Sequence, residues 1–222
     1  MSGPGTQPSR REDILQALAA MLEASTSERI TTAALARRVG FSEAALYRHF
    51  PSKAKMYEAL LGFAEDTVFS RVNTIAREAE ATVGACGDTL LVVLTFAERN
   101  PGITRMLCGD ALHGEHDRLA HRAAAVFSRL ESELKQQLRI GEVRDKTTTR
   151  IPPGLAASLM VNVVEGRLRH YVRSRFERLP TENWASHWQI IAEGLFCLPP
   201  PGEVPNLDAA PGSAWHSDQN GH

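Results

Sequence analysis

The sequence predicts an all-α protein in which a short helix-turn-helix head continues into a larger helical domain. Three observations lead there. Between residues 10 and 198 apolar residues recur at the i, i+3, i+4, i+7 spacing of one helix face, stretch after stretch. No segment alternates with the period of a strand, and no internal repeat is visible. Residues 30–50, "ITTAALARRVGFSEAALYRHF", read as two short helices meeting across a tight Gly40-Phe41-Ser42 turn, the outline of a helix-turn-helix. At 222 residues, 43% apolar and 23% charged, the chain is long and apolar enough to bury a real core.

Residues 1–9 are Gly, Pro, Ser and Gln around a few other residues and are expected to form a flexible arm. The first helix is "RREDILQALAAMLEAS", with Ile14, Leu15, Leu18, Met21 and Leu22 on one face, acids at its start and Ser25 near its end. The second opens on Thr31 or Thr32 as N-cap, turns Leu35 and Val39 inward and stops at Gly40. The third is capped by Ser42 and ends before Pro51, with Leu46 and Phe50 on the core side. Ser52 caps a fourth helix running to about residue 80, striped by Tyr57, Leu60, Leu61, Ala64, Val68, Val72 and Ile75.

A fifth helix is expected over "ACGDTLLVVLTFAER", with a late start because two glycines flank Cys86, and a sixth over "PGITRMLCGDAL", where Pro101 suits a first turn. A long seventh fits residues 116–140. The Gly, Thr and Pro content of residues 140–154 predicts a mobile loop. In the eighth, the apolar positions form two rows: Leu155, Leu159 and Val163, and Met160, Val164, Leu168, Val172 and Phe176. The ninth carries Trp184, Trp188, Ile191 and Leu195 in one stripe. Such apolar terminal helices predict a second copy packed against Leu168, Val172, Trp184, Trp188, Ile191 and Leu195; the alternative is that they close the protomer's own core. Residues 199–222 hold five of the twelve prolines and are expected to be a disordered tail that Trp215 alone would not anchor. The domains are therefore 10–55 for DNA binding and 56–198 for effector binding and dimerisation.

Composition narrows the function. The formal net charge of −1 hides a split of +3 through Lys55 and −4 beyond it, so one end is suited to a polyanion. Three cysteines, Cys86, Cys108 and Cys197, without CxxC spacing argue against a disulfide framework or zinc knuckle. Neither a signal peptide nor an apolar run of about 18 residues occurs, which predicts a soluble cytoplasmic protein.

A helix-turn-helix reads DNA by laying its second helix in the major groove. Ala44 and Ala45, small residues in its first turn, allow close approach and contact with a thymine methyl. Arg48 faces the groove with the one guanidinium on this helix able to bind guanine in two places. Tyr47, His49, Lys53, Thr31, Thr32 and, on the arm, Arg10 and Arg11 are candidates for phosphate. The plain alternative is a helical hairpin with Tyr47 and His49 as a satisfied polar edge.

"ITTAALARRVGFSEAALYRHFPSKAKMYEAL" resembles the DNA-binding domain of TetR-type transcriptional regulators, whose signature closes on an aromatic-rich "LYRHFPSK" segment. The segments "RREDILQALAAMLE", "ERNPG", "HDRL" and "RHYVRSRF" extend the likeness over roughly residues 10–197 and make it closest to the nucleoid occlusion branch of that family. That resemblance implies a homodimer through the last two helices, bound to palindromic chromosomal DNA and antagonising assembly of the tubulin-like division protein FtsZ over the nucleoid. It also implies an FtsZ-tail site at Phe63, Thr67, Arg71, Leu94, Arg99 and Asn100, beside the fourth and fifth helices. At 100° per residue Phe63, Thr67 and Arg71 flank the core stripe of the fourth helix, as a groove would require, although the same residues read equally as peripheral core and solvated charge.

Two rival functions differ in class. A conventional repressor would share the head but release DNA on binding a small molecule in an apolar cavity of the middle helices, which Ala123, Ala124 and Ala125 leave room for. An enzyme would need a constellation, and only "HGEHDRLAH", with His113, Glu115, His116, Asp117 and His121, suggests a metal. No P-loop, GxGxxG after a strand or GxSxG elbow is present, so no cofactor, metal or catalytic residue is assigned.

Overall fold

The computed structural model describes residues 9–24, 30–110 and 117–197. The expected arm (except Ser9), the tail with Trp215, Ser25, and the candidate metal ligands His113, Glu115 and His116 lie outside these residues. The described residues fold as α1 (Arg10–Ala24), α2 (Thr32–Val39), α3 (Glu43–His49), α4 (Lys53–Glu78), α5 (Thr82–Arg99), α6 (Pro101–Leu107), α7 (Asp117–Arg144), β1 (Thr148–Thr149), α8 (Pro153–Arg173), α9 (Trp184–Leu195) and β2 (Phe196–Cys197).

The head is built by local chemistry. Ser9 and Glu12 form a reciprocal capping box: the Glu12 N–H donates to Ser9 Oγ (3.3 Å) and the Ser9 N–H donates to the Glu12 carboxylate (2.7 Å). Arg10 and Arg11 therefore belong to the first turn of α1 and not to the arm. Thr31, Ser42 and Ser52 cap α2, α3 and α4 by accepting from the N–H groups of Ala34, Ala45 and Lys55. Gly40 takes the left-handed conformation (φ 73°) that lets α2 stop and the chain turn into α3. Leu35, Leu46, Phe50, Met56 and Tyr57, all buried, close the head against α1 and the start of α4.

Head and body share one core. Gly102 at the start of α6 lies so close to α1 that a Cβ there would sit 2.0 Å from the Ala19 carbonyl oxygen. Arg105 completes the seam: its guanidinium donates to the Leu22 carbonyl (2.8 Å) and covers the Phe176 ring just beyond α8 (5.0 Å). In the body, α4 packs on α5 and α7, and α8 on α7 and α5. Phe69, which the predicted stripe of α4 omits, is buried beneath the Arg129 guanidinium of α7, 3.9 Å above its ring.

Three expectations are corrected. First, α5 starts at Thr82 and not late, because Asp145, far along the chain, supplies its cap: the carboxylate accepts from the Thr82 N–H (2.6 Å) and hydroxyl (3.0 Å). Gly87 serves packing, since a Cβ there would meet Trp188 Nε1 at 2.5 Å, whereas Gly84 has open space around it. Second, residues 140–154 are no loop throughout: α7 continues to Arg144, and Thr148–Thr149 pair antiparallel with Phe196–Cys197. Third, Leu168, Val172, Trp184 and Leu195 are buried within the protomer itself, and Trp188 and Ile191 pack partly buried against the same core. The row left bare is the other one, Leu155 and Leu159, joined by Ile190 of α9 at 69% exposure. Of Ala123, Ala124 and Ala125 only the first is buried, and Ala123 and Ala124 line a hollow between α6, α7 and α8.

Candidate DNA-binding face and partner groove

α3 presents a small exposed face. Tyr47 stands 44% exposed beside exposed Ala44 and Arg48, and its hydroxyl donates to Thr32 Oγ1 (3.4 Å), which donates in turn to the Glu43 carboxylate (2.9 Å). This chain of hydroxyls joins the starts of α2 and α3 and fixes the Tyr47 ring. His49 and Ala45 are half-buried, His49 stacked on Phe41 (6.2 Å between centroids), whose other neighbour is the Arg10 guanidinium at 5.6 Å. Arg11 is committed as well: it donates to the His49 carbonyl (3.3 Å) and lies over Phe50 (4.2 Å). Lys53 opens α4 above the Tyr57 ring (5.4 Å). Thr31 spends its hydroxyl on the α2 cap. All ten expected DNA-contact residues thus lie on α1 to α4; Arg10, Arg11, Tyr47, His49 and Lys53 are held by neighbours, whereas Arg48 makes no hydrogen bond or ion pair among the described residues.

The second feature is a groove of 600 Å³ between α4 and α5. Phe63 (50% exposed), Leu91, Val92 and Phe96 make its apolar floor, with the Phe63 and Phe96 rings 6.1 Å apart. Thr67, Arg71, Arg99 and Asn100 rim it, together with Asp88. Neither Arg71 nor Arg99 makes a hydrogen bond or ion pair among the described residues. Asn100 is oriented by donating to the Phe96 carbonyl (2.8 Å). Leu94, placed here by the family resemblance, is fully buried away from the groove, and Leu91, Val92 and Phe96 line it instead. Helical phase identifies them: Leu91 and Thr95 are one turn apart and so share a face, with Val92 and Phe96 beside them, while Leu94 is turned toward Leu90 and Ala97.

The end of α5 is tied to the last helices through Glu98. Its carbonyl accepts from the Tyr171 hydroxyl (3.2 Å) and its carboxylate from the Thr181 hydroxyl. Burial, more than the nearby Glu98 and Glu23 charges, raises the Tyr171 hydroxyl above its ordinary pKa and keeps it a donor.

A hollow of 340 Å³ between α6, α7 and α8 is lined by Leu107, Ala123, Phe127 and Val161 together with Glu131, Glu165 and Arg169. Burial pushes the thiols of Cys86 and Cys108 up to about 12, which favours the protonated thiol over the thiolate. Among the described residues no cluster of His, Cys, Asp and Glu has the makings of a metal site, and no helix is long and apolar enough to cross a membrane.

Residues 14–60 match the family described as "Bacterial regulatory proteins, tetR family", and residues 80–196 match a SlmA-like family described as "Tetracyclin repressor-like, C-terminal domain". The nucleoid occlusion factor SlmA of Idiomarina loihiensis is 51% identical over 186 residues, covering 84% of this chain and 95% of that protein. That of Marinobacter nauticus is 47% identical over 190 residues, covering 86% and 97%. Among solved structures, the TetR family regulator PfmR from Thermus thermophilus superposes with a TM-score of 0.69 at 21% identity, covering 85% of this chain and 98% of that one. The MbdR regulator from Azoarcus sp. CIB gives 0.70 at 18%, covering 83% and 97%. The structures establish the fold, and the sequences narrow it further: the chain belongs to the TetR family and, within it, to the SlmA nucleoid occlusion factors.

Proposed function

We propose that this chain acts as a cytoplasmic, nucleoid-associated dimer that sits on palindromic chromosomal sites and captures the C-terminal tail of FtsZ in the α4–α5 groove, holding back division-ring assembly over the nucleoid. The observation that carries the reading is the groove: an apolar floor around the half-exposed Phe63, with two arginines, Arg71 and Arg99, that have no partner among the described residues. A short peptide with apolar and acidic side chains matches it, the former displacing water from Phe63 and Phe96, the latter pairing with guanidinium.

At the head, Arg10, Arg11, Thr31, Thr32, Tyr47, His49 and Lys53 position the protein on phosphates, while Ala44, Ala45 and Arg48 face the base edges. With one guanidinium on the reading helix, much of the selectivity falls to DNA shape. Two heads set one helical turn apart read a palindrome. The second copy docks on the bare row of α8 and α9, Leu155, Leu159 and Ile190. Gly166 and Gly194 have open space where a side chain would stand, so another backbone can approach closely there.

The deciding measurement is sedimentation of FtsZ polymers with this protein, with and without its DNA. Loss of polymer that depends on specific DNA is expected. No effect, together with release of DNA by a metabolite, would establish the ordinary repressor instead. Arg71→Asp is expected to abolish binding of an FtsZ-tail peptide and to leave DNA affinity unchanged; normal peptide binding by this variant sinks the groove assignment.

A further inference from the structure

The groove and residues 198–222 of the same chain have complementary chemistry. That segment contains Glu203, Asp208 and Asp218 and no Lys or Arg. Its central stretch "EVPNLD", residues 203–208, places a carboxylate at each end of a short run carrying Val204 and Leu207, with Pro205 between them. Proline-rich chain of this kind favours the extended polyproline conformation, which lowers the entropy lost on lying down in a groove. The groove offers the counterpart: Phe63, Leu91, Val92 and Phe96 below, Arg71 and Arg99 at the rim.

The segment also departs from a suitable place. Cys197 is anchored by the pairing of β2 with β1. The preceding Phe196 packs against Trp188 (6.2 Å), and Trp188 lies on Gly87 of α5, one residue before Asp88 of the groove. From Asp88 to Asn100 the groove wall is about 18 Å long at the α-helical rise. Residues 198–203 alone span about 19 Å in polyproline geometry, so the "EVPNLD" stretch has the reach. Finally, the match to the SlmA-like family stops at residue 196, and the relative from Idiomarina loihiensis is covered over 95% of its own length by only 84% of this chain. The segment thus lies outside the stretch that matches that family.

We propose that residues 203–208 fold back into the α4–α5 groove of their own chain and compete there with the FtsZ tail, an autoinhibitory contact resting on the groove reading above. A tethered peptide of this length meets its site at an effective concentration in the millimolar range, so even a millimolar intrinsic affinity keeps about half of the grooves covered. An incoming tail must displace it, and an event that draws the segment away raises partner affinity without altering the groove.

The test uses the full chain carrying Glu203→Lys and Asp208→Lys. Its affinity for a labelled FtsZ-tail peptide is expected to rise about twofold or more over the native chain, as release from a half-covered site demands. The amide resonances of Phe63, Thr67, Leu91 and Arg99 in the ¹⁵N-labelled proteins are expected to differ between the two, while those of Ala44 and Arg48 coincide. A synthetic peptide of residues 199–212 is expected to shift the same groove resonances of the double variant, and Arg71→Asp to remove that response. Coincident groove resonances with equal peptide affinity overturn the proposal and leave the groove reading intact. Shifts confined to the head, with tighter DNA binding, also overturn it by placing the segment there. If the FtsZ peptide binds neither chain while the 199–212 peptide still shifts the groove in an Arg71-dependent way, the autoinhibitory contact stands and the partner assignment falls.

Discussion

The head and the groove handle their exposed side chains in opposite ways. On the head, Arg11, His49, Thr32 and Tyr47 already have partners within the fold, so most of the exposed face of α3 is held in place. In the groove, Arg71 and Arg99 have no partner among the described residues and Phe63 is half exposed. A surface that reads a regular polymer gains from preorganisation, because every ordered side chain saves entropy on binding. A surface that captures a flexible peptide gains from open charge and bare apolar area, which supply the driving force for ordering the peptide.

The sharpest way to break this division of labour is at the seam that joins the two regions. Gly102→Val would force a side chain into the Ala19 carbonyl, and destabilisation of about 3 kcal/mol is expected, read as a lowered melting temperature with a parallel loss of DNA affinity. If the melting temperature held and only DNA affinity changed, head and body would be independent. Phe63→Ala addresses the groove alone: about tenfold weaker binding of an FtsZ-tail peptide by fluorescence anisotropy is expected, with melting and DNA binding unchanged.

Asp145→Ala addresses the body's rigidity by removing the cap of α5, at a cost of about 1 kcal/mol in chemical denaturation. Burial works to raise this carboxyl, yet hydrogen bonds from Thr82 and Thr147 outweigh it and hold it below the usual carboxylate range. The stabilisation is therefore complete above that range and is lost as pH falls through the lowered value. Native protein and variant should converge in stability on acidification; a constant gap across that range would contradict it. The smallest effect belongs to the head. Lys53→Ala should weaken binding to every DNA sequence alike and reduce the salt slope by about one, and an unchanged slope in a salt titration would remove Lys53 from the phosphate contacts.

What could be read in the sequence followed from range along the chain. The helix-turn-helix was legible because its determinants are neighbours: Thr31 with Ala34, Ser42 with Ala45, Gly40 between them. The start of α5 was not, because its cap is Asp145, far along the chain, and Gly87, one of the two glycines that argued against helix, is fitted to Trp188. The inward row of α8 was undecided in the sequence for a related reason. Two apolar rows on α8 are equivalent in sequence, and only packing against α5 and α7 decides that Leu168 goes inward and Leu159 stays out. In the groove, Phe63, Thr67 and Arg71 came from helical phase together with family resemblance, whereas Leu94 came from resemblance alone and phase turns it inward.

The contact between Gly102 and Ala19 has a mechanical meaning. A seam of side chains absorbs a push by changing rotamers, but a seam of backbone against backbone has nothing to rearrange and passes displacement on. Asn100, at the rim of the groove, stands two residues before that seam, and α1 carries the first turn against which α3 is braced. α1 and the start of α6, two residues past Asn100 at the groove rim, are thus joined backbone to backbone with no side chain between them.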